Sequence, residues 1–220
     1  MLHAPAPRVK ICCVGSVGEA WAAIRAGASA IGLVSEMPSG PGVISEGLIA
    51  EIAAAVPPAV TTFLLTCKQD AGSIIAQQRR CRANALQLCD RVGEGVYARL
   101  RDALPGVSLI QVVHVTGRES VAEAVAASRH VDAVLLDSGN PSLPVKELGG
   151  TGRAHDWALS AEIREAVPVP VFLAGGLRPE NVGEAVERVR PFGIDVCSGV
   201  RTGGRLDEEK LAALFDRLKA

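Results

Sequence analysis

The chain has 220 residues, is 48% hydrophobic and carries a formal net charge of −1. That length can bury a large core, and the charge balance excludes the basic surface expected of a protein that binds nucleic acid or an anionic membrane. The opening "MLHAPAPR" lacks the apolar run of a signal peptide, and no stretch approaches the roughly 20 apolar residues of a membrane span, so a cytoplasmic globular protein is the expectation.

In chain order, short apolar runs rich in Val, Ile and Leu alternate with amphipathic, Ala-rich helical stretches. After an N-terminal extension, 1–8, the first run is "VKICCV", in which strand alternation sends Lys10 and Cys12 to one face and Val9, Ile11 and Cys13 to the other. The helix "VGEAWAAIRAG" follows it and ends at Gly27. The next strands are "SAIGLV", "VTTFLLT", "NALQLC" and "SLIQVVHV", then "VDAVLLD", "VPVFLAG" and "GIDVCSG", each followed by a helix. Pro179 is expected in the opening turn of the seventh helix, and Trp21 and Trp157 are expected as helix-packing anchors.

Eight βα units with no break in composition predict a single α/β domain over 9–220, a (β/α)8 TIM barrel. A doubly wound open sheet is the alternative, but the first turn offers only "GSVGEA" where a G-x-G-x-x-G pattern would be expected. The longest connection without helical pattern, "SGNPSLPVKELGGTGRAHD", follows the sixth strand; loops of that length in compact domains usually have a function. The six cysteines are scattered, with neither a C-x-x-C pair nor a histidine at metal-ligand spacing, so no metal site and no disulfide framework is expected.

Barrel enzymes place their sites at the C-terminal ends of the strands. Cys12 lies near the end of the first strand and Asp137 ends the sixth, so the two can face each other across the mouth, as an acid and a base acting on one small substrate would. Gly175 and Gly176, then Ser198 and Gly199, follow the seventh and eighth strands. There, exposed amides and a helix N-terminus suit a phosphate, and a phosphorylated ligand is expected. Lys10 and Asp195 fall on neighbouring lumen-facing positions, where an ion pair would spare each an unpaired buried charge, and the ammonium would also favour a Cys12 thiolate.

Together, "VKIC", "NALQL", "LLD", "GGTG" with the later "DW", "LAGGLRPENV" and "DVCSGV" resemble phosphoribosylanthranilate isomerase, a (β/α)8 barrel of tryptophan biosynthesis. The resemblance runs from Val9 almost to the C-terminus. It implies Cys12 as general base, Asp137 as general acid, and phosphate-binding backbone around Gly175, Gly176, Ser198 and Gly199; beside these, Lys10, Asp195, Gln87 and Arg153 are expected in supporting roles. The implied reaction is an Amadori rearrangement of an aminoaldose phosphate to an aminoketose phosphate, which calls for no cofactor and no metal.

Three departures cluster where the aromatic half of the substrate would sit. Gly42 follows Pro41 where the family usually has an arginine for the anthranilate carboxylate, Cys89 replaces a common histidine, and "NPSLPVKEL" lengthens the sixth loop. Arg153 is the favoured replacement clamp and Arg201 the second. A related isomerase acting on a different phosphorylated sugar amine, or a non-catalytic phosphate-binding barrel, stays open. The expected partner is a phosphorylated small molecule rather than nucleic acid or membrane, and the oligomeric state stays open as well.

Overall fold

The computed structural model describes residues 6–219. In chain order the elements are β1 (Arg8–Ile11), α1 (Val17–Ala26), β2 (Ala30–Val34), α2 (Glu46–Ala55), β3 (Thr61–Thr66), α3 (Ala71–Cys81), β4 (Ala85–Leu88) and α4 (Glu94–Ala103). They continue as β5 (Ser108–His114), α5 (Glu119–Ser128), β6 (Ala133–Asp137), α6 (Trp157–Ala166), β7 (Val171–Leu173), α7 (Val182–Val189) and β8 (Gly193–Val196). A short hairpin, β9 (Arg201–Thr202) and β10 (Arg205–Leu206), precedes α8 (Glu208–Lys219).

Strands β1 to β8 form a closed parallel barrel, which excludes the open sheet. The chain closes where β8 pairs with β1, from Arg8 opposite Gly193 to Ile11 opposite Val196. Outward residues such as Val9, Ile11, Leu64 and Leu86 pack in one core with the helices, while Phe63, Ile110, Val112 and Phe172 fill the lumen. Two-residue alternation thus sorts each strand between two cores. Helix starts are fixed by side chains that accept backbone amides: Ser16 from Glu19, Ser45 from Leu48, Asp70 from Ser73 and Asp156 from Ala158.

Four details depart from expectation. The first strand includes Arg8 and ends at Ile11, so Cys12 and Cys13 already belong to the mouth; residues 1–5 lie outside those described. Helix α7 starts at Val182 rather than around Pro179, because Arg178 and Asn181 first close a turn in which the Asn181 side chain accepts the Arg178 amide at 2.9 Å. Trp157 is buried against the helix core, but Trp21 lies on the outer surface of α1, 38% exposed. The β9–β10 hairpin had no signal in the apolar pattern, being too short to show alternation.

Beneath the mouth lies the pair anticipated from strand alternation. Lys10 Nζ donates to Asp195 Oδ2 at 2.8 Å, and no part of the lysine reaches solvent. The ammonium also sits 5.3 Å from the centre of the Phe63 ring. Burial works against the lysine's charge, but the facing Asp195 outweighs it and holds Lys10 above its ordinary pKa. Burial pushes the Asp195 carboxyl upward, with Lys10 opposing. Gly32 on β2 provides the room: a Cβ there would lie 2.9 Å from Lys10 Nζ and 2.7 Å from Cys12 Sγ. Removing one member strands the other in a dry lumen, so Lys10→Met should cost about 3–5 kcal/mol of stability in chemical denaturation. Asp195→Asn in the same chain should recover part of that loss.

Candidate active site

Cys12 is held by its backbone. Its amide donates to Val196 O at 2.8 Å, and the Arg201 guanidinium donates to the carbonyls of Cys12 and Cys13 at 3.2 and 2.5 Å. Glu19 anchors that guanidinium at 3.1 Å while accepting the amides of Gly15 and Leu206, both at 3.0 Å. One carboxylate thereby joins the start of α1, the hairpin and the turn after β1. Burial raises the Glu19 carboxyl, and Arg201 with the two amides more than reverses it, leaving it below the usual range. Arg201 is therefore committed to positioning the turn and is not a free anion-binding group.

Cys13 does not continue the strand. Its φ of 61° puts it in the left-handed region, which breaks the two-residue alternation and turns its side chain into the mouth beside Cys12. The expected packing role on the outer face is therefore corrected. Contact with the Cys12 and Cys197 thiols holds the Cys13 thiol above its ordinary pKa, and contact with Cys13 lowers that of Cys197.

Across the mouth, buried Asp137 ends β6. Its Oδ1 accepts the Ser138 amide at 2.7 Å, while Oδ2 points to where a Gly149 side chain would be, 2.6 Å from that Cβ. Cys12, Asp137, Gln87, Asp195, Gly176 and Ser198 all line one cavity, which opens to solvent at the mouth. Among the described residues, Gln87 Oε1 and Asp195 Oδ1 are buried acceptors without hydrogen-bond partners.

At the β7–β8 side, Gly175 and Gly176 have φ of 82° and 64°, conformations that glycine adopts without strain. Their amides, and that of Ser198, donate to no group among the described residues. The Asn181 side chain grips the Gly176 carbonyl at 3.0 Å and fixes the loop's shape. Gly199 contributes differently from Gly175, Gly176 and Ser198: it lies outside the cavity lining, and its missing side chain lets the loop after β8 close against Leu177 O and, 2.9 Å from where its Cβ would be, Arg178 Cα.

The loops after β2 and β6 close the opposite side. Ser39 Oγ donates to Lys146 O at 2.7 Å, and a Cβ on Gly150 would lie 2.6 Å from Pro41 Cδ, so the two loops interlock. Leu148 enters the mouth from the lengthened loop, a role no local pattern announced. Arg153 is not brought to this side. Its guanidinium pairs with Glu147 outside the cavity lining, and its backbone backs the turn after β7, with Arg153 C 2.7 Å from where a Gly176 Cβ would be. Gly42 has φ of 81°, and a Cβ there would lie 2.5 Å from Cys13 Cβ.

His155 is a further buried group that the pattern did not single out. It lies behind Gly175, its Nε2 2.7 Å from Ser160 Oγ and its Nδ1 without a partner. Burial holds its pKa below the ordinary histidine value, against the opposing pull of Asp137 and Asp156.

A closed barrel with one cavity at its strand ends, lined by free backbone amides over the last two strands and by a thiol and a carboxyl, places the protein among the (β/α)8 barrels. The match is closer than that: a family model described as N-(5'-phosphoribosyl)anthranilate (PRA) isomerase covers residues 9–217, and the chain belongs to that family. Among relatives bearing that name, the Methanocella arvoryzae protein is 34% identical over 94% of this chain and 95% of its own, and that of Natronomonas pharaonis 36% over 95% and 96%. The solved phosphoribosyl anthranilate isomerase of Thermotoga maritima aligns with a TM-score of 0.82 at 28% identity over 97% of this chain and 98% of that one. Another, in complex with reduced 1-(o-carboxyphenylamino)-1-deoxyribulose 5-phosphate, aligns with a TM-score of 0.79 at 26% identity over 97% and 98%.

Two outcomes follow from the local geometry. Gly42→Arg should lower the melting temperature and supply no carboxylate clamp, since left-handed backbone costs a non-glycine residue about 1–2 kcal/mol before the contact with Cys13 is counted. His155, neutral when buried, binds its proton more readily in the unfolded chain, so stability should fall as pH drops through about 6.5 and go on falling until the lowered folded value is passed. Denaturation midpoints measured from pH 7 to 5 should slope less steeply for His155→Gln than for the wild type.

Proposed function

We propose that the protein converts N-(5-phosphoribosyl)anthranilate to 1-(o-carboxyphenylamino)-1-deoxyribulose 5-phosphate, with Asp137 as general acid and Cys12 as general base. The observation that carries the reading is the pairing of these two groups across one cavity whose far side is an amide cradle. The phosphate binds the amides of Gly175, Gly176 and Ser198, with Gly199 allowing the cradle to close.

From Oδ2, which makes no hydrogen bond among the described residues, Asp137 protonates the furanose ring oxygen. The C1'–O bond breaks and the nitrogen lone pair forms a Schiff base at C1'. The Cys12 thiolate then takes the C2' proton, and the C2'–H electrons move toward the iminium nitrogen to give an enolamine. Tautomerisation to the ketone completes the reaction, and proton exchange with water resets both residues. Electrons pass only from C2' to C1' within the substrate, so the chemistry asks for no cofactor and no metal. Lys10 lies beneath Cys12, and Gln87 and Asp195 accept from ribose hydroxyls. No helix among the described residues is long and apolar enough to cross a membrane, in keeping with a cytoplasmic biosynthetic enzyme.

Steady-state turnover of phosphoribosylanthranilate tests the reading. Cys12→Ser and Asp137→Asn should each lower kcat by about two orders of magnitude or more, the scale of losing a positioned base or acid, while binding of the reduced product analogue persists. Wild-type inactivity on this substrate would overturn it.

A further inference from the structure

The proposed substrate carries a phosphate and a carboxylate, yet the cavity lining contains no arginine, lysine or histidine and does contain two carboxyl groups, Asp137 and Asp195. The phosphate end is served by amides. The carboxylate end has no such provision within the lining, because Gly42 has no room for a side chain, Arg201 is bound to Glu19 and Arg153 faces away with Glu147. An anion entering a desolvated site needs a partner nearby.

A second cavity adjoins the mouth on the β2–β4 side, with Met37 and Leu148 lining both. Its walls bring together Lys68, just past β3, and Lys146, from the lengthened loop after β6. Lys146 Nζ bonds buried Asp90 at 2.5 Å, and its side chain stays 40% exposed, so two of its three donors remain for a ligand. Lys68, half-buried, forms no ion pair among the described residues. The other acid on these walls, Glu36, is exposed and forms no ion pair among the described residues, so Lys68 contributes charge that no fixed partner consumes.

The direction is right for the aglycone. A ribose anchored at β7–β8 and spanning Cys12 and Asp137 sends its N-linked ring toward β2–β4, where Val34, Met37, Leu65 and Leu148 offer an apolar slot. The geometry points to Lys68 and Lys146 as the cationic clamp that holds the anthranilate carboxylate in place of an arginine after β2. The inference rests on the isomerase reading above. It gives the lengthened loop a purpose: Leu148 covers the ring while Lys146, two residues earlier and tied to Ser39, meets its carboxylate.

The test is the ratio of kcat/KM for phosphoribosylanthranilate to that for N-(5-phosphoribosyl)aniline, which lacks only the carboxylate. Lys68→Gln with Lys146→Gln should lower that ratio tenfold or more, chiefly through KM for the carboxylated substrate, and Lys146→Arg should preserve most of it. Because Lys146→Gln strands Asp90, the same measurement in an Asp90→Asn background separates lost stability from lost recognition. A ratio unchanged within twofold in the double variant, or an equal loss on both substrates, would overturn the clamp while leaving the isomerase intact. A wild type inactive on both substrates would remove the isomerase reading and the clamp with it.

Discussion

The ion pair between Lys10 and Asp195 ties the closing of the barrel to the placing of its sulfur. Lys10 and Asp195 are opposite in the register that joins the first strand to the last, and the ammonium has no access to water. A slip of one residue in that register would turn Lys10 into the apolar layer under the helices and Cys12 away from the mouth. A buried ion pair is a weak source of net stability, but its wrong arrangements are costly. The seam is thus specified by what it forbids, and the same constraint sets the height and direction of Cys12.

The loops at the mouth combine apolar packing, as at Val14, Leu177 and Val200, with polar contacts that brace them in pairs. Glu19 and Arg201 bind the turn after β1 to the hairpin after β8, so the two ends of the barrel sequence jointly support Cys12. The loops after β2 and β6 brace each other across the opposite rim. Between these braces the lining divides by type: free backbone amides after β7 and β8, an acid and a thiol in the middle above the buried ion pair, and lysines beyond an apolar slot.

Much of this was legible from the chain because the strands repeat with a period of two and the helices carry their own start signals. Lys10, Cys12, Asp137 and Asp195 could be placed by counting along apolar runs, and Gly175, Gly176 and Ser198 by their position after the last two strands. Cys13 could not, since a single positive φ cancels alternation and no property of cysteine announces it. Arg153 could not be placed for a related reason: sequence proximity to the lengthened loop says nothing about which way the loop runs, and here its guanidinium pairs with Glu147 while its backbone backs the turn after β7. The bracing role of Arg201 depends on a two-residue hairpin too short to leave a pattern.

The contact between positions 13 and 42 couples two loops of the rim. The space at that point of the rim holds a single β-carbon, and Cys13 already occupies it. A side chain at 42 would require position 13 to give up or shift its own, so a substitution at either position is felt at the other, and the geometry of the rim at this point is set by the two residues together.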